Sequence, residues 1–273
     1  MNDTRYDQSL HDPNPHDQTP DTRAVGEPGT AGEPGTVGEP ATSADSPLSV
    51  PATPGPFTLP TGEVALIVID MQRDFLLPGG FGETLGNDVS LLASVVPPLQ
   101  RVLEAARSAD WTVIHTREGH QPDLSDLPAA KLRRGKPSLR IGDPGPYGRI
   151  LIRGEYGHDI IDELAPAPGE IVLDKPGKGA FYGTDLQQIL IDAGVEALVV
   201  TGVTTEVCVH TTVREANDRG YDVLVLADCV GSYFPEFQRV GLDMIAAQGG
   251  IFGWVTDSAA LLDVLPRAAV AAA

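Results

Sequence analysis

Val64-Ala-Leu-Ile-Val-Ile69 is six apolar residues in a row, and it constrains this chain more than any other stretch. The run is too short for a helix that buries itself. It also lacks the apolar/polar alternation of a half-exposed strand, so it reads as a strand covered on both faces. Trp111–His115, Ile171–Leu173, Ala197–Val200, Tyr221–Leu226 and Ile251–Val255 are further strand-like segments. Between them, Asp88–Ala109, Asp185–Ala193, Thr205–Arg219, Pro235–Ala247 and Ser258–Leu265 have helical spacing. Pro97-Pro98 must break or restart the first of these helices. Arg117 to about Tyr156 reads as a long polar loop with short helices. Strands alternating with helices imply a three-layer α/β/α fold around a mostly parallel six-stranded sheet.

Residues 1–60 behave differently. They hold eleven of the 24 prolines and few bulky apolar side chains, and nine acids against two bases. Such a segment buries too little surface to offset its ordering entropy, so residues 1–60 are expected to be a disordered tail and residues 61–273 one domain. Within the tail, Gly26, Gly29, Gly32, Gly35 and Gly38 recur every third residue. Five triplets read as a flexible Pro/Gly-rich repeat.

The formal net charge of −19 disfavours nucleic acid and anionic membranes as partners. No stretch approaches the ~20 apolar residues of a membrane span, and the start lacks the layout of a secretory signal. Cys208 and Cys229 give no disulfide framework, which points to a reducing cytoplasm.

In open parallel sheets, ligands bind beyond the carboxyl ends of the strands. Three reactive residues fall there. Asp70 ends the first strand in VIDMQRDF, Lys175 follows the third in IVLDKPGKGAF, and Cys208 follows the fourth in TGVTTEVC. In the first turn of a helix, Cys208 would feel unpaired N–H groups and the positive dipole end. A nearby Lys175 ammonium would lower its pKa further. Asp70 could take the thiol proton and return it to a leaving amine, while backbone N–H groups around Thr204 and Cys208 face a developing oxyanion. Such a set cleaves amides. His115, Arg117 and Glu118 reach either the crevice rim or a salt-bridged loop, and Cys229 reads as structural.

These residues resemble the isochorismatase-like cysteine hydrolases over roughly residues 62–265. VIDMQRDF, DKPGKGAF and TGVTTEVC stand in that family's order. The resemblance implies Asp70, Lys175 and Cys208 as catalytic triad and a cis peptide between Val203 and Thr204. Several stretches, among them HTREGHQPDLSDLP and AAQGGIFG, look closest to the biuret and triuret hydrolases. That likeness implies release of ammonia from a small neutral linear ureide through a thioester. It also implies Lys178, Gln248, Phe75 and Tyr182 as substrate-binding residues and a homotetramer. A ureidoacrylate or N-carbamoyl amino-acid amidohydrolase would use the same triad on a substrate bearing a carboxylate. A non-catalytic scaffold and a Cys208/Cys229 thiol-redox domain are readings from other classes. No cofactor is expected. The Asp-x-His pair with which related nicotinamidases hold a metal is missing from the six histidines, so no metal is expected either.

Overall fold

A computed structural model describes residues 48–60 and 63–265. Six strands, Val64–Ile69, Thr112–Glu118, Ile171–Lys175, Ala197–Val203, Asp222–Gly231 and Trp254–Thr256, form one sheet in which every neighbouring pair is parallel. From one edge to the other they run 254–256, 222–231, 197–203, 64–69, 112–118, 171–175. The chain starts at a central strand, steps outward twice, then returns to its other side at Ala197. The point of reversal therefore lies between Val64–Ile69 and Ala197–Val203, the position at which open parallel sheets bind their ligands.

Both central strands are buried at every position, as uninterrupted apolar runs require. Alternate residues feed two cores. Leu66, Val68, Val199 and Leu224 pack with Leu99, Val102 and Leu261 on one face. Ile67, Ile69, Leu198 and Val200 pack with Leu186, Leu190, Val209 and Val213 on the other. Cys229 belongs to the first cluster and Cys208 to the second, so the sheet separates the two thiols and the redox pairing has no geometric basis. Gly202 marks the closest approach of the two strands. A Cβ there would sit 2.1 Å from the Ile69 carbonyl oxygen, and its φ of +103° is one that glycine adopts without cost.

Pro97 and Pro98 fall in the first turn of the Val96–Ser108 helix, where their missing N–H groups would have had no intrahelical partner. A separate turn, Ser90–Ala93, precedes it. Among the described residues, no helix is long and apolar enough to cross a membrane.

The expected boundary at residue 60 needs correction. Residues 1–47 lie outside the described residues, but Leu48–Val50 and Phe57–Leu59 pair as an antiparallel hairpin belonging to the domain. Val50, Phe57 and Leu59 are at most 1% exposed, and the Phe57 ring meets Trp254 with centroids 5.2 Å apart. Between the two strands, Thr53 exchanges backbone hydrogen bonds of 2.8 and 3.0 Å with Val255. The hairpin thus covers the otherwise open edge strand Trp254–Thr256. Averaging composition over sixty residues hides four apolar side chains at period two, Leu48, Val50, Phe57 and Leu59.

Candidate active site

Each strand that ends near the point of reversal delivers one chemical group. Asp70 directly follows Ile69 and takes a φ of +50°, fixed by a 3.1 Å hydrogen bond from its N–H to the Thr116 carbonyl. The Thr116 hydroxyl donates to Asp70 Oδ1 at 2.7 Å. Lys175 ends its strand, reaches across the neighbouring strand end and sets Nζ 2.7 Å from Asp70 Oδ2. Both side chains are 0% exposed. Burial works against the charge on Lys175, but Asp70 and Glu118 more than offset it and hold the ammonium above its usual range. A third anchor is the Gly177 carbonyl, which accepts from Nζ at 3.0 Å.

Cys208 is 4% exposed. It lies in the wide π-helical turn Thr205–Val209, which runs directly into the α-helix His210–Asp218. The peptide between Val203 and Thr204, just before this turn, is cis, as the family resemblance implies. The thiol donates to Glu118 Oε2 at 3.5 Å. Asp70, Glu118 and Cys208 each bring one oxygen or sulfur to within 4.8 Å of the others. Three such atoms could surround a cation, but the ammonium groups of Lys175 and Lys178 already serve both carboxylates.

Glu118 is the residue that the sequence placed only at the rim. The strand expected to end at His115 continues to Glu118, and its period of two sorts the side chains. His115 goes to Glu170 at 2.9 Å, and Arg117 to Asp174 and Asp159 at 2.7 and 2.9 Å, all away from the thiol. Thr116 and Glu118 go to the site. Gln72 braces Glu118 from its backbone, accepting from its N–H at 2.7 Å and donating to its carbonyl at 3.0 Å. The carboxylate is almost fully buried, yet it stays below its usual range because Lys178 and Lys175 outweigh the burial. Lys178 Nζ lies 2.6 Å from Oε1 with its side chain 44% exposed, so it forms part of the solvent-facing side of the site.

The thiol itself does not match expectation. Burial pushes the Cys208 pKa well above its ordinary value, and the Asp70 and Glu118 charges offset what Lys175 and Lys178 do to lower it. Burial therefore favours the protonated thiol over the thiolate. Neutralising Glu118 removes one of the opposing charges and leaves Lys178 unpaired, and both changes favour the thiolate. Glu118→Gln is therefore expected to shift the pH profile of iodoacetamide alkylation at Cys208 toward lower pH; a profile shifted upward would show that Glu118 does not act on the sulfur in this way.

The remaining expected binding residues divide. Lys178 is in the site. Tyr182 is mostly exposed and lies against Gly177, over the loop that anchors Lys175. Phe75 packs against the core cluster holding Met71 and Leu76, and its carbonyl accepts from the Tyr233 hydroxyl at 2.7 Å. Gln248 does not reach the triad within one chain. The Pro235–Gly250 helix leaves the carboxyl end of its strand and runs back toward the start of Trp254–Thr256. Gln248, exposed in a left-handed turn at φ +52°, therefore sits at the end of the sheet opposite the triad of its own chain. Arg149 braces its own loop through the Gly142 and Pro122 carbonyls, and Arg219 pairs with Glu215 along one helix. Lys131, which the sequence did not single out, comes to the site from the long insertion; its Nζ donates to the Pro176 carbonyl at 2.6 Å.

The isochorismatase domain family matches residues 64–260. The ureidoacrylate amidohydrolase RutB of Serratia proteamaculans is 35% identical over 226 residues, covering 78% of this chain and 87% of that protein. A cysteine hydrolase from Pseudomonas syringae superposes with a TM-score of 0.65 at 29% identity, covering 81% of this chain and 98% of that one. The N-carbamoylsarcosine amidase of Thermoplasma acidophilum superposes with a TM-score of 0.54 at 26% identity, covering 72% and 96%. With the parallel sheet, the strand-end triad and these likenesses together, the chain belongs to the isochorismatase domain family.

Proposed function

We propose that this protein is a cysteine amidohydrolase that releases ammonia from a small ureido or N-carbamoyl acid. The observation that carries the reading is the convergence of Asp70, Lys175 and Cys208 from three separate strand ends onto one buried point. The relatives named for ureidoacrylate and N-carbamoylsarcosine support a substrate bearing a carboxylate over biuret or triuret, which the sequence alone favoured.

The chemistry follows from the groups present. Because the resting sulfur is protonated, attack requires that its proton leave as the C–S bond forms. Asp70 accepts that proton, and Lys175 keeps the emptied carboxylate in place. The sulfur adds to the terminal carbamoyl carbon, and N–H groups around Thr204 and Cys208 hold the oxyanion. Collapse breaks the C–N bond, and Asp70 returns the proton so that ammonia leaves. An S-thiocarbamate, with the remaining nitrogen and the sulfur on one carbonyl carbon, stays on Cys208. Water, deprotonated by Asp70, then hydrolyses it and restores the thiol, giving a carbamic acid that loses carbon dioxide to leave the amine. Glu118 orients the sulfur in the resting state.

Assembly into a homo-oligomer is part of the same proposal. Phe237, Val240 and Met244 are exposed along one helix and line a groove of about 920 Å³, an apolar face that suits burial against another copy.

Ammonia release from purified full-length protein should be measured on N-carbamoyl amino acids, ureidoacrylate, biuret and triuret. The acids are expected to show the highest kcat/KM. A clear preference for biuret or triuret would return the assignment to neutral ureides.

A further inference from the structure

The charges around Cys208 do not cancel. Asp70 pairs with Lys175 and Glu118 with Lys178, each at 2.6–2.7 Å. Lys131 is left over. Its Nζ is held by the neutral Pro176 carbonyl, and among the described residues no carboxylate forms an ion pair with it. Yet it stands close enough to Glu118, Lys178 and Lys175 to feel the charge of each. With the thiol neutral, these five charged groups sum to one positive charge, in a chain whose formal net charge is −19. Burial and the neighbouring ammonium groups push the Lys131 pKa down, which an incoming anion would relieve.

Its placement fits that role. Lys131 lies on the short helix Ala129–Leu132 within the insertion between two strands, and its half-buried side chain reaches over the Pro176–Lys178 segment. Lys178, its partly exposed neighbour, already has its partner in Glu118. An anionic group entering beside Lys178 therefore meets a cation with nothing of its own to neutralise.

We infer that Lys131 is a specificity-determining residue whose ammonium receives the carboxylate of a ureido or N-carbamoyl acid while its carbamoyl end lies at Cys208. The inference rests on the proposed reaction and adds the group that separates acids from neutral ureides. A positively charged insertion residue also explains how an acidic protein takes an anionic substrate, since the local field rather than the net charge meets the ligand.

The test uses the full chain and two matched pairs, N-carbamoylglycine and N-carbamoyl-β-alanine, each with its carboxamide. Lys131→Gln is expected to raise KM for the preferred acid on the order of 10- to 100-fold, as for loss of a charge-assisted hydrogen bond, with a much smaller effect on kcat. Its carboxamide should lose far less, so the acid-over-carboxamide ratio falls, and Lys131→Arg should restore much of it. Equal losses on acid and carboxamide would mean that Lys131 only holds the Pro176 loop, and an unchanged KM for the acid would overturn the inference outright. In both cases a wild-type preference for acids would leave the proposed reaction standing. A wild type that prefers biuret or the carboxamides would overturn both.

Discussion

Cys208→Ala is expected to abolish ammonia release, by on the order of 10⁴-fold or more, while leaving the protein folded and able to bind substrate. The sulfur lies 3.5 Å from Glu118 and sits in a core cluster with Val209 and Val213. Replacing it by a methyl group removes the nucleophile and a small apolar volume, a loss of about 1 kcal/mol of stability. Cys208→Ser should be nearly as inactive, because a hydroxyl is a far poorer nucleophile in a site that does not stabilise its anion. Steady-state ammonia assays with circular dichroism, and calorimetric titration of the inactive variant with the acid substrate, read the two effects separately. Residual turnover within tenfold of wild type would rule out covalent catalysis at this residue.

The second large effect concerns the buried pair. Lys175→Met leaves the Asp70 carboxylate at 0% exposure without its cation, and such a loss costs about 3–5 kcal/mol. Asp70→Asn in the wild-type background strands the ammonium in the same way. Because each single change leaves an uncompensated charge, the double variant Asp70→Asn/Lys175→Met should regain most of the stability lost by either alone. None of the three should release ammonia. Denaturant titrations of the four proteins test the coupling; a double variant as unstable as the two losses added together would mean the charges do not act as a pair. A stabilised but inactive double variant would show that this ion pair is kept for chemistry and not for the fold.

The site was legible where chemistry coincides with the end of an apolar run. Val64–Ile69 and Ala197–Val200 announce themselves as buried strands, so Asp70 and the residues after Gly202 could be placed on one rim without any contact information. Lys175 followed from the same rule. Glu118 was less visible because Arg117, a charged residue within the last turn of pleat, made the strand seem to stop at His115; only the period of two separates the inward Glu118 from the outward Arg117. Lys131 carried no signal at all, since a lysine in a polar insertion looks like any solvated loop charge until the loop folds back on Pro176. The Gln248 reading came from resemblance alone, and topology keeps Gln248 from the triad of its own chain: a helix leaving the carboxyl end of a strand must return to the other end before the next parallel strand begins. The surroundings of the thiol were only partly legible. Sequence position suggests a dipole and a lysine, both of which lower its pKa, but burial and two carboxylates are properties of the assembled site.

In the proposed reaction Cys208 becomes covalently attached to the carbonyl carbon of the substrate. Rapid acid quench of full-length enzyme turning over its preferred ureido acid, followed by peptide-level mass spectrometry, tests it most directly. An adduct is expected on the peptide containing Cys208, with a mass equal to substrate less one ammonia, and no adduct in Cys208→Ala. Steady turnover with Cys208 unmodified at every quench time and an adduct on another residue would contradict it.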